Sequence, residues 1–267
     1  MFNAIRSADS IDILRDRDYE SLHGGEVEAR AEAACPAAAV PARWQTAWRR
    51  AKAERDARRG AARGAAGFKP YHALHVVMRI VPGVGSLRRR AMYKAVRAAS
   101  ITAALREWFR IVHISLQRTH VHMIVEAEDK AALSRGMQSF QISAARHINT
   151  ALGDGGKRRR GSVFADRYHV EVITTPTRAR HAISYVLSNW RKHGEDRDGL
   201  PSTWLVDPFS SAIAFPDWKE LQDQAWMWPI RETYDPLMVR RPATWLLAEG
   251  WKLAGEISAR AVPSQRR

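Results

Sequence analysis

Regular alternation of apolar and polar residues begins downstream of Pro70. Residues 75–81, His-Val-Val-Met-Arg-Ile-Val, are β-prone and run into Pro82-Gly83-Val84-Gly85, which predicts a strand closed by a turn. Over residues 86–109 the apolar positions Leu87, Met92, Val96, Ile101, Leu105 and Trp108 fall at mostly helical spacing, with basic residues between them. Residues 110–116 and 120–126 read as two strands joined by the polar link Gln117-Arg118-Thr119. Residues 130–152 form a second helical stretch that ends at Gly153-Asp154-Gly155-Gly156. A fourth strand follows over residues 168–174. Pro176, suited to the first turn of a helix, then opens a third helix that runs to about His193 and stops at Gly194.

The predicted order, β-α-β-β-α-β and then a helix, is the ferredoxin-like split βαβ pattern of the α+β class. It implies a four-stranded antiparallel sheet with helices on one face plus one further helix. Because that fold hosts many unrelated activities, it leaves the function open. The flanks have a different texture. Residues 1–67 are rich in Ala, Glu and Arg, with too thin an apolar stripe to bury, and read as a mobile basic arm. Residues 68–195 form the body. Residues 196–267 are a Trp/Pro-rich extension in which Thr244 is placed to cap a short helix carrying Trp245, Leu247 and Trp251 onto the body.

Charge narrows the classes of partner. The chain of 267 residues carries 43 Lys and Arg against 28 Asp and Glu, a formal net charge of +15, with a pI near 10.7. That sign favours a polyanion and excludes an acidic solvating module. Cys35 is the single cysteine, so no internal disulfide or Cys-rich zinc site can form. No apolar run approaches the roughly 18 residues of a membrane span. A soluble, cytoplasmic, nucleoid-associated protein with no membrane partner is the expectation.

Two groups of residues carry chemistry. In Thr119-His120-Val121-His122, on a strand, the two imidazoles stand on one face and Val121 on the other, a spacing that a divalent cation accepts. A paired structural role for the histidines is the alternative on these residues alone. In the third helix Tyr185 and Asn189 are four apart and share a face. Tyr offers a nucleophile, or else simply packs. Asn offers an amide oxygen that, with two imidazoles, would leave positions open on a metal for a phosphate.

These residues resemble the single-tyrosine HUH transposases (the IS200-like superfamily), in particular the branch associated with repetitive extragenic palindromes. That family has His-hydrophobic-His on a strand and a later helix with Tyr followed four positions on by Asn or Gln. Between them lies an aromatic-x-x-Arg-aromatic element, matched here by Phe164-Ala165-Asp166-Arg167-Tyr168. The resemblance runs over residues 71–194. This chain departs from the family in having Arg118-Thr119 where Pro-Asn often precedes the first His, and Trp190 where Pro often follows the helix Asn.

The resemblance implies metal-dependent cleavage and strand transfer on single-stranded, hairpin-containing or palindromic DNA. Mg²⁺ or Mn²⁺ would sit on His120, His122 and Asn189, and Tyr185 would form a 5′-phosphotyrosine, with the metal's charge, Lys192 or His193 as the alternatives that favour the phenolate. Phosphate contacts are expected from Arg88, Arg89 and Arg90 and from the densest basic run, Lys157, Arg158, Arg159 and Arg160. Arg167, Tyr168 and Lys192 complete the expected DNA surface, and the protein acts as a monomer or homodimer. Two other readings compete. One is a domesticated or inactive relative that only binds DNA. The other is a ferredoxin-like RNA-binding module, which would want aromatics on its central strands, and the strand from His120 has none.

Overall fold

Strand β1 spans Ala73–Arg79, β2 Phe109–Leu116, β3 His120–Ala127 and β4 His169–Ile173. The computed structural model describes residues 72–195, 205–221 and 234–263. The strands pair antiparallel in the order β2-β3-β1-β4, the expected split βαβ sheet. Helix α1 is Arg90–Ala104, α2 Lys130–Ala151, α3 Pro176–Lys192 and α4 the short Trp245–Ala248. All described residues fall in one compact unit, Arg63–Arg267. The arm expected over residues 1–67 lies outside the described residues, as do Trp204, Trp226 and Trp228. Among the described residues no helix is long and apolar enough to cross a membrane.

Period-2 alternation gives the sheet two working faces. On the first, Leu74, Val76 and Met78 of β1 and Val121, Met123 and Val125 of β3 are buried beneath Met92 and Val96 of α1 and Met137, Phe140 and Ile148 of α2. On the second, Ala73, Val112, Ile124 and Ile173 meet Ile183, Val186 and Leu187 of α3. The C-terminal extension completes that second layer with Phe215, Trp218, Leu247, Trp251 and Ile257. It also covers the exposed edge of β2, through Leu116 N–H to Phe209 C=O at 2.8 Å and Arg240 N–H to Ile111 C=O at 2.8 Å.

Local chemistry accounts for the helix ends. Pro176 occupies the first turn of α3, and the Thr175 hydroxyl accepts the Arg178 N–H at 3.2 Å. After His193 the chain turns off at Gly194, whose φ is 68°. The Asp129 carboxylate likewise caps α2 at Ala132 N–H. Thr244 caps α4 as expected, with its hydroxyl 3.4 Å from Leu247 N.

Two expectations are corrected. Helix α1 begins at Arg90 rather than Ser86, because Arg89 is extended (φ −103°, ψ 144°) while Leu87 N–H bonds Arg118 C=O and the Arg88 side chain turns inward. Strand β2 carries a bulge between Ile111 and His113: Val112 turns to the second face by ordinary alternation, and the bulge returns Ile114 and Leu116 to the first. Trp245 does not pack into the body. Its side chain is 62% exposed, whereas Leu247 and Trp251 are buried.

Gly136 shows how closely α2 approaches the sheet, since a Cβ there would overlap the ring of the fully buried Phe109. Gly136→Val is expected to destabilise the fold by about 1–3 kcal/mol through overpacking. The gain of under about 0.5 kcal/mol in helix propensity is too small to offset it. Urea unfolding measures the difference, and an unchanged midpoint would mean that Phe109 has room to move.

Candidate active site

The second face of β3 carries His120 and His122, with ring centroids 4.7 Å apart and planes at 79°. In the antiparallel register with β1, His122 stands opposite Val77, so His75 is its diagonal same-face neighbour. The two rings lie nearly parallel, and His75 Nε2 is 3.1 Å from His122 Nδ1. Helix α3 crosses this face with one stripe at i, i+4 and i+8. Tyr185 places its ring edge-on to His122 at 5.2 Å and to His75 at 5.9 Å. Asn189 comes one turn later and is buried, and His193 one turn beyond that has its ring 5.5 Å from His120. Lys192 Nζ stands 4.8 Å from the centre of the Tyr185 ring.

The electrostatics favour neutral imidazoles. Burial, then the neighbouring His75, His120 and His193 and the cation of Lys192, bring His122 down to about 2. Burial, then His193 and Arg79, bring His120 down to about 4. Burial raises the Tyr185 phenol, and the nearby Asn189 amide draws it partly back. Neither atom of that amide makes a hydrogen bond of ordinary geometry, and His122 Nε2 is equally unpartnered. Buried polar atoms are normally satisfied, so these unmet groups mark where a ligand would bind.

The donor set fits a hard or borderline divalent cation with open positions. His122 holds its Nδ1 side against His75, the usual way an outer partner orients a ligating imidazole, and leaves Nε2 available. His120 and the Asn189 oxygen supply two more donors. Among the described residues no cluster of three His, Cys, Asp or Glu can hold a metal, so the two imidazoles would need the Asn189 oxygen as their third protein donor. Glu126, on the same face of β3 four residues beyond His122, is taken up by Ala243 N–H, Thr244 N–H and the Thr244 hydroxyl at 2.6–2.9 Å. His75 is the site residue that the reading of motifs missed. Its one signal is its parity on β1, which has meaning only once the β1–β3 register is known.

The expected DNA-contact residues separate. Arg89 and Arg90 are exposed beside the start of α1, and Lys157, Arg158, Arg160 and Arg167 are exposed on loops. Arg159 is tied down, donating from Nη1 to Asn149 Oδ1 at 2.9 Å and to Ser162 C=O at 3.1 Å. Tyr168 is half-buried, packs against the first-face core and bonds Ser134. Trp190 is 1% exposed and belongs to the interior, so it offers no surface for base stacking.

Arg88 does not fit a phosphate contact. Its Nη1 and Nη2 each donate to an Asp207 carboxylate oxygen at 2.9 Å, Nη1 also reaches Leu116 C=O at 3.0 Å, and Nε lies 3.2 Å from Glu195 Oε2. Burial pushes the Asp207 and Glu195 carboxyls up, and the Arg88 guanidinium draws both back. Glu195 Oε1 also accepts Arg118 N–H at 3.3 Å. The end of α3, the β2–β3 turn and the C-terminal extension are thereby clasped at one point.

Residues 70–189 match the family model described as "Transposase IS200 like". Among solved structures the chain is similar to a REP-associated tyrosine transposase bound to a REP hairpin. The identity is 16%, over 67% of this chain and 98% of that one, with a TM-score of 0.44. It is also similar to a putative transposase from Deinococcus radiodurans R1, at 13% identity over 51% of this chain and 97% of that one, with a TM-score of 0.32. No curated protein matches the chain.

The clasp yields a stability prediction. Arg88→Met leaves two buried carboxylates without their guanidinium, and the loss is expected to be about 3–5 kcal/mol in chemical unfolding. Arg88→Lys is expected to restore only part of it, because an ammonium cannot bridge both Asp207 oxygens. Full stability in Arg88→Met would return Arg88 to the pool of phosphate-binding residues.

Proposed function

We propose that this chain, whose residues 70–189 match the IS200-like transposase family model, cuts and rejoins single-stranded DNA through Tyr185. The observation that carries the reading is the meeting of three elements. The His-x-His of β3, the Tyr185 phenol and the Asn189 amide converge within one chain, with the Tyr185 ring 5.2 Å from that of His122. A single copy therefore holds the full set of groups, which suits a monomer or a homodimer. A hairpin or palindromic element flanking the cut is the proposed DNA partner, as in the REP branch that the motifs resemble.

The Tyr185 oxygen attacks the scissile phosphorus while the bond to the 3′-oxygen breaks. The departing strand leaves as a 3′-hydroxyl, taking up one proton for the one the phenol gives up. The other strand stays on Tyr185 as a 5′-phosphotyrosine. That linkage conserves the phosphodiester, so a second 3′-hydroxyl reverses the step and joins strands. His120, His122 and Asn189 would hold Mg²⁺ or Mn²⁺, which when bound offsets charge developing on the phosphoryl oxygens. His75 orients His122, and Lys192 over the phenol is a cation at hand for the phenolate or the phosphate.

DNA binding outside the reaction centre is proposed for Arg89, Arg90, Lys157, Arg158, Arg160 and Arg167, all exposed. A binding-only, inactive relative is the second reading. Against it stands the retention of both histidines, Tyr185 and Asn189 in one constellation.

Two experiments test the proposal. Tyr185→Phe, incubated with a hairpin-bearing single-stranded oligonucleotide, is expected to bind DNA within about twofold of the parent and to give no covalent adduct by mass spectrometry. His122→Ala, or EDTA with the parent protein, is expected to abolish the adduct too. An adduct in Tyr185→Phe would refute the nucleophile, and full activity in EDTA would refute the metal. Separately, replacing Lys157, Arg158 and Arg160 with Ala is expected to flatten the slope of log K against log[salt] by about 0.7 per lost contact, with turnover at saturating DNA little changed. An unchanged slope would mean that this loop only meets water.

A further inference from the structure

A cleft of about 380 Å³ opens beside Tyr185 and His75, between α3 and the edge strand β4. Its apolar inner wall is Ile173 from β4 and Ala182 from α3, while Val172 borders the cleft on the strand and packs its side chain toward the first-face core. Cationic or ionisable groups rim it, namely His75, Arg178, Arg180, His181 and Lys192, against the carboxylate of Glu171. Arg178 Nη2 lies 4.0 Å from a Glu171 oxygen, and both side chains are about half exposed, so that pair holds the arginine only loosely.

The outer wall comes from the C-terminal extension, at Ala261, Val262 and Pro263, beyond the stretch that matches the family. This wall is fixed to α3. Arg180 donates to Glu256 C=O at 2.7 Å and to Gly255 C=O at 3.2 Å, and Arg191 Nε donates to Ala259 C=O at 2.9 Å. Two arginines of α3 thus strap residues 255–259 along the helix and set the width of the cleft.

Size and lining together define the occupant. The volume is at the small end of the roughly 300–1,000 Å³ of ligand pockets, enough for one nucleotide and too little for a strand. Apolar walls suit the faces of a base, and a cationic rim beside the nucleophile suits its phosphate. We infer that this cleft holds a single nucleotide adjoining the scissile phosphate, turned out of the strand, and that the C-terminal extension serves to build its outer wall.

This inference rests on the strand-transfer reading of Tyr185, so its test uses binding, which needs no cleavage. The full-length chain carrying Tyr185→Phe is titrated with a series of hairpin oligonucleotides, each lacking one base along the single-stranded flank. At one position, loss of the base is expected to weaken binding about tenfold, or roughly 1.4 kcal/mol. Adding Val262→Trp, which fills the cleft from its outer wall, is expected to reduce that penalty to within about twofold. Adding Arg178→Glu, which a first helical turn tolerates, is expected to bring the intact oligonucleotide toward the affinity of the base-less one. Mapping the cut made by the parent protein then shows on which side of the scissile phosphate the sensitive base lies. A flat series, or a penalty unchanged in both cleft variants, overturns the inference whether or not the parent protein cuts. Absence of the covalent adduct in the parent, with the single-position penalty intact, would overturn the Tyr185 chemistry and leave the cleft standing.

Discussion

A strand that must bury one face and present chemistry on the other is the constraint on which this molecule turns. In β3, Val121, Met123 and Val125 belong to the layer under α1 and α2, and the intervening residues are left for the opposite face. That face cannot stay bare. Ile124 and its neighbours on β1, β2 and β4 need apolar cover, which α3 and the C-terminal extension supply. The same act of burial lowers Tyr185 and Asn189 onto His120 and His122. Assembly of the site is thus a by-product of closing the second core.

The clasp around Arg88 reinforces that arrangement. A guanidinium with two carboxylates is costly to bury unless its hydrogen bonds are made, and here Asp207 and Leu116 C=O accept them while Glu195 adds an ion pair at 3.2 Å. Because Glu195 follows α3 directly and also receives Arg118 N–H from the turn ahead of His120, the clasp ties the end of the helix to the start of the histidine strand. One ion cluster therefore sets the distance between the two halves of the site from outside it.

Within the site, charge is arranged in one direction only. The imidazoles are neutral, the nearby side chains are His193, Lys192 and Arg79, and the one buried carboxylate on that face, Glu126, is spent on the N-terminus of α4. A pocket with unpartnered donors and acceptors and an excess of positive charge suits a phosphodiester. It also suits neutral imidazole as a ligand, since no proton has to leave before a cation binds.

The chain's own alternation was enough to place His120 with His122, and Tyr185 with Asn189, because the periods of 2 and 3.6 are set by local covalent geometry. Element order likewise specified the split βαβ sheet, and Pro176, Thr175 and Gly194 marked the ends of α3. Register, docking and desolvation lie outside local geometry. His75 joins His122 only because β1 pairs with β3 across 47 positions of sequence. Trp245 and Trp251 read alike in the chain, yet one is exposed and the other buried. Arg88, Arg89 and Arg90 are chemically identical neighbours. Only the tertiary structure draws the first into a buried clasp and leaves the other two in water, because Asp207 and Glu195, more than a hundred residues away, pair with Arg88 among the three.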